Sequence, residues 1–188
     1  MKTYLARGLF PLALLAALAL ALPAGATVAR FLSLDDHVAL AQLIVRVRGG
    51  ESTTYVSKKD GRPRTERAYT ILETYKGNLG PGASLVVRQM RGSVGDGELR
   101  IAGDPELREG EEAVLFLVQD KEGVAYLAAL GQSKYEVVRD AGGAWVRRKL
   151  DGLAFVTDDK GEVVEAVDEP PVPLDVFVKT LVSLVKGE

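Results

Sequence analysis

The chain reads as a mainly β domain, an antiparallel sheet or barrel bracketed by two helices. Three observations predict this. Nine short β-rich runs follow residue 42 at nearly regular spacing, most of them separated by Gly, Asp or Asn turns, the pattern of antiparallel sheet rather than of βαβ units. Helical periodicity is confined to a stretch near residue 35 and to the last fifteen or so positions. One run, "AVLFLVQ" (113–119), is apolar on both faces, as expected of a central strand buried on two sides.

In chain order, Lys2 and Arg7 flank the start of an apolar run from Leu9 to Leu22, interrupted by Pro11 and followed by Ala24-Gly25-Ala26. A spanning helix needs about 20 apolar residues, so this reads as an export signal cleaved after Ala26, with no stable membrane anchor afterwards. The expected location is the periplasm or beyond, and the expected division is a signal at 1–26, a β-domain at 27–157 and an acidic linker with a helix at 158–188. No cysteine occurs, which excludes a lipoprotein anchor and leaves stability to the core alone.

Ser33 is a plausible N-cap for "SLDDHVALAQ", with Asp35 and Asp36 in the first turn where the helix dipole favours them. In "LIVRVR" (43–48), Leu43, Val45 and Val47 share one face and Arg46 and Arg48 the other. Further strands are expected at 68–75, 84–90, 98–101, 113–119, 124–130, 134–138, 144–150 and 153–156. The C-terminal helix starts at Pro173, carries an apolar stripe through Leu174, Phe177, Val178, Leu181, Leu184 and Val185, and stops at Gly187. Residues 49–67 and 158–171 lack a regular pattern and read as loop or linker.

The sequence offers little catalytic chemistry. "RGSVGDG" (91–97) has three glycines, but it lies between two strands, its order is not G-x-G-x-x-G, and Asp96-Gly97 signals a hairpin. His37 is the single histidine and reads as a surface or half-buried helix residue, because zinc needs three or four N or S ligands. Ser133 lacks the second glycine of a nucleophile elbow, and Ser183 with Lys186 matches S-x-x-K without its companion motifs. Glu109, Glu111, Glu112, Asp158 and Asp159 sit at loops, where water solvates them, and residues 158–162 fail the spacing of a calcium loop. No catalytic residue, cofactor or metal is expected.

The formal net charge of −2 disfavours nucleic acid as a partner. The candidate contact with another macromolecule is the polar segment carrying Tyr55, Lys58, Lys59, Arg62, Arg64 and Arg67, cations suited to an acidic surface. The expected role is a secreted, non-enzymatic domain that binds protein, of unspecified oligomeric state.

Within residues 37–138, "HVALAQLIVRVRG", "RAYTILETYKGNLGPGASLVVRQ" and "LREGEEAVLFLVQDKEGVAYLAALGQSKYEV" resemble a class of uncharacterised exported bacterial β-domains. Those are similar in turn to the netrin-like, OB-type barrel of the tissue inhibitors of metalloproteinases. The strand ending "ETYKG" and the later "GEEAVLFL" carry most of the likeness. It implies an OB-like (netrin-like) antiparallel barrel of five or six strands, with a long first hairpin and a helix closing one end. The inhibitors chelate the protease zinc through an N-terminal cysteine, and here the processed end is Thr27. Two other roles stay open beside the binding domain: a metalloprotease inhibitor-like module and a hydrolase working through carboxylates alone. A structural envelope component is a further possibility.

Overall fold

A computed structural model describes residues 26–95, 97–157 and 161–187. The residues before Ala26, where an export signal is expected, Asp96 of the hairpin motif, and Asp158 and Asp159 lie outside the described residues.

Strand β1 (Thr27–Arg30) leads through a short coil to helix α1 (Leu34–Leu40). Ser33 caps α1 in a full capping box: its Oγ accepts from Asp36 N at 3.1 Å, and its own backbone N donates to Asp36 Oδ2 at 3.0 Å. The two longest strands follow, β2 (Leu43–Val56) and β3 (Pro63–Lys76), paired as one hairpin. The expectation of loop over residues 49–67 is therefore corrected, since only residues 57–62 turn. Those strand arms are polar on both faces, so no alternation of apolar residues marks them. They are held instead by the cross-strand ladder from Ser52↔Arg67 to Val56↔Pro63.

The remaining strands are β4 (Ser84–Gln89), β5 (Gly92–Val94), β6 (Gly97–Leu99), β7 (Glu112–Gln119), β8 (Ala125–Leu127), β9 (Lys134–Asp140), β10 (Gly143–Arg148), β11 (Leu153–Val156), β12 (Val163–Glu165) and β13 (Val172–Pro173). A 3-10 turn at Leu130–Ser133 precedes β9, and helix α2 spans Leu174–Lys186, with Gly187 as its left-handed cap. The large sheet runs β13-β10-β9-β7-β2-β3-β4-β8. Strand β8 meets two neighbours, β4 in parallel at Val87↔Ala125 and β7 antiparallel from Leu117↔Leu127 to Gln119↔Ala125. A smaller sheet joins β1, β11 and β12, so part of the acidic stretch at 158–171 is strand. The corner at 91–97 is itself a small hairpin of β5 and β6.

Strand β7 separates two apolar clusters, as its two-faced pattern predicts. Leu115 and Leu117 join Leu43, Val45, Val47, Ile71, Leu85 and Val87 on one side. Val114 and Phe116 join Ile44, Tyr135, Val137, Val146 and the inner faces of α1 and α2 on the other. The apolar stripe of α2 thus finds its partner on the sheet, with Phe177 and Leu181 buried. Gly49 marks where β2 leaves β7: a Cβ there would lie 2.1 Å from Arg108 O, so only glycine lets the chain bulge past that carbonyl. Among the described residues no helix is long and apolar enough to cross a membrane.

Candidate functional site

The hairpin arms divide the six candidate residues into two groups. Along the arms and into the turn at Asp60, some side chains are committed to one another. Tyr55 Oη donates to Glu66 Oε1 at 2.8 Å, Arg88 Nε donates to the same oxygen at 2.7 Å, and Arg88 Nη1 reaches Tyr126 Oη at 3.1 Å. Tyr126 in turn donates to Asp120 Oδ2 at 3.0 Å. Arg67 donates to Gly50 O and Ser52 Oγ, and Arg64 pairs with Asp60. Glu66 stays ionised: desolvation pushes its carboxyl up, but hydrogen bonds from Tyr55 and Arg88 outweigh that and hold it below the usual range.

At the tip, Lys58, Lys59 and Arg62 are exposed, and their side chains enter no ion pair or hydrogen bond among the described residues. The turn beneath them is closed by backbone hydrogen bonds. Ser57 N donates to Arg62 O at 2.9 Å and Gly61 N to Ser57 O at 2.8 Å. Gly92, at φ +134°, packs where a Cβ would strike Thr54 Cγ2 at 2.5 Å, and Thr65 Oγ1 donates to Arg91 O at 2.8 Å, so the β5–β6 hairpin braces one face. Above Gly49, strand β2 has β3 on one edge and, among the described residues, no ladder partner on the other. The structure therefore presents three cations on a braced arm with a free strand edge, and withdraws Tyr55, Arg64 and Arg67 into holding it.

The carboxylates are less solvated than the sequence suggests. Glu112 is almost enclosed between Arg46 (2.7 Å) and Arg139 (2.9 Å). Burial raises its proton affinity, but those guanidinium bonds win and keep the carboxyl below its ordinary range. Glu111 pairs with Lys134. Asp104 behaves oppositely: burial holds it above the usual carboxylate range, against one hydrogen bond from Gln89 Nε2 at 2.9 Å, and its Oδ2 has no partner. It lines a cavity of about 200 Å³ together with Glu111 and Lys134. No group of three or more metal-ligating side chains occurs among the described residues.

His37 corrects the expectation of a surface or half-buried residue, for it is wholly buried. Its Nδ1 lies 2.9 Å from Ser33 O, and since a carbonyl only accepts, Nδ1 carries the proton. The ring meets Phe116 and Tyr135 edge-on, and Nε2 has no partner.

A second concavity, of about 400 Å³, escaped the sequence reading. It is lined by Tyr135 of β9, Val146 and Arg148 of β10, Phe177 and Thr180 of α2, and by Phe31, Leu34 and Glu169. The Arg148 side chain is almost fully buried. A signal existed: in "AWVRR", Val146 and Arg148 share one strand face, so burial of Val146 carries Arg148 inward.

These features describe a β-rich scaffold with a protruding basic arm and an apolar cleft. A scan of known families matches no family model to the chain, and a search of curated proteins finds no match.

Proposed function

We propose that this chain is an exported, non-enzymatic binding domain built on an OB-like barrel, and that it engages an acidic protein surface through the tip of the β2–β3 hairpin. The observation that carries this reading is the division of its cations: Arg64 and Arg67 on the β3 arm are spent on internal contacts, whereas the side chains of Lys58, Lys59 and Arg62 are held out together on a braced turn. Charges displayed in this way steer association more than they add affinity. The pairing circuit β7–β2–β3–β4–β8 and back to β7 supports closure into a five-stranded barrel, the architecture expected from the resemblance to metalloproteinase-inhibitor domains.

The inhibitor mechanism finds less support. Thr27 N donates to Gly152 O at 2.9 Å and its Oγ1 to Ala102 O at 2.5 Å, so that end of the chain is laid into a sheet. A carboxylate hydrolase has one foothold, the raised Asp104, and Glu111, which lines the same cavity, is paired with Lys134.

The test uses residues 27–188 as bait in the exported fraction, followed by association kinetics with the captured partner at two salt concentrations. The triple variant Lys58→Gln, Lys59→Gln, Arg62→Gln should slow association about tenfold at low salt and flatten the salt dependence. Unchanged kinetics would remove the tip from the interface. Intact-mass measurement of the exported protein should find Thr27 as its first residue.

A further inference from the structure

We propose that the cleft above Arg148 is a binding site for a small monocarboxylate with an apolar body, and that Glu169 occupies its anion position until such a ligand arrives. This does not depend on the hairpin.

A guanidinium at 2% exposure has been taken out of water and must be compensated. Arg148 is compensated incompletely. Its Cζ lies over the rings of Phe31 and Tyr135, 5.0 and 5.3 Å from their centroids. Nη1 donates to Leu32 O at 2.9 Å and Nη2 to Glu169 Oε1. Nε is buried and has no partner. Nε and Nη2 form one edge of the fork, the edge that accepts a carboxylate with both oxygens at once. Glu169 fills half of it.

The occupant is thus defined by what is already there and what is missing. A carboxylate on this edge is shown by Glu169, and a free ligand, unrestrained by the chain, can square up to both N–H groups. Glu169 can give way, because its side chain is 38% exposed while its backbone stays anchored: Glu169 N donates to Arg148 O at 3.4 Å, and Asp168 Oδ1 accepts from Leu150 N at 2.7 Å. Beyond the guanidinium the walls are aliphatic and aromatic, and Phe31 stands 44% exposed at the mouth. An acyl or aryl tail gains there from leaving water.

Octanoate is the probe, with octanol as its uncharged counterpart, titrated by calorimetry into the 27–188 protein. Amide chemical shifts then show where binding occurs. Octanoate should bind saturably, with shifts on β9, β10 and the start of α2, and octanol at least about tenfold more weakly because it cannot form the two charged bonds. Glu169→Gln keeps the shape and removes the competing charge, so it should tighten octanoate about tenfold, the scale of one charge-assisted hydrogen bond. Thr180→Trp, made at the exposed rim to spare folding, should weaken it by a similar factor. The proposal is overturned if neither the parent nor Glu169→Gln binds octanoate, if octanol binds as tightly, or if Glu169→Gln weakens binding.

Discussion

The two sides of β7 are built from different materials. Toward Leu115 and Leu117 the interior is almost wholly aliphatic, and Tyr69 Oη is the one buried side-chain atom in that cluster without a partner. Toward Val114 and Phe116 the interior is aromatic and mixed with polar groups: His37 and Arg148 are buried among Phe116, Tyr135 and Phe177. The same strand thus faces a region that contributes mainly burial and one that also holds titratable groups, a guanidinium and a cleft. The side that tolerates imperfectly satisfied polar atoms is where binding chemistry can reside.

The largest expected effect tests whether both sides contribute equally to stability. Phe116→Ala should cost about 3–5 kcal/mol and Leu115→Ala about 2–5 kcal/mol by denaturant unfolding, since both are completely buried. A loss under about 1 kcal/mol on either side would show that side to be loosely packed.

A pH series separates the sides next. Burial depresses the proton affinity of His37, partly offset by its bond to Ser33 O. The unfolded chain takes up that proton near pH 6.5, whereas the folded one resists it. More protons are then bound in the unfolded state, so stability should fall as pH drops below about 6.5, by up to about 1.4 kcal/mol per unit until the folded-state value is reached. Asp104, raised by burial, acts in the opposite sense and is unchanged by the variant. His37→Asn should therefore flatten the difference between pH 7 and pH 5.5. An identical slope in both proteins would contradict this.

Tyr69→Phe addresses the aliphatic side. Removing a buried hydroxyl without a partner should stabilise the fold by about 1 kcal/mol, seen as a raised unfolding midpoint. Destabilisation would mean that this side also depends on a polar contact. Smallest of all, neutralising Lys58, Lys59 and Arg62 should change stability by no more than about 0.5 kcal/mol, since these charges are exposed and hold nothing internally.

How far each feature was legible follows from how local its cause is. The facing of Leu43, Val45 and Val47, the two-sided burial of 113–119, the cap at Ser33 and the stripe of α2 each depend on residues within a few positions of one another, and each was read correctly. The arms of the β2–β3 hairpin were missed because Ser52, Thr53 and Thr54 face Arg67, Glu66 and Thr65, polar against polar, which leaves no hydrophobic period. The strands β1, β12 and β13 are two to four residues long, too short to show a period, and β1 and β13 pair with distant chain, Thr27 with Leu153 for example. Of the six candidate site residues, the sequence could not separate the free cations from the committed ones. The acceptor for Arg67 is a backbone carbonyl 17 positions away, and the brace on Glu66 comes from Arg88.

The sequence by itself determined a mainly β chain with two helices, the strand buried on both sides and the ends of both helices, because periodicity, capping and turn chemistry act between near neighbours. Only the tertiary structure decided the environments of the charged groups. Arg148 became a buried cation because Leu32, 116 positions away, supplies a carbonyl and Phe31 and Tyr135 supply the rings that it lies over. His37 became an interior group because α1 packs onto Phe116. Hydrophobic patterning is written locally, but the free energy of a charge depends on everything that displaces its water, and that is assembled from the whole chain.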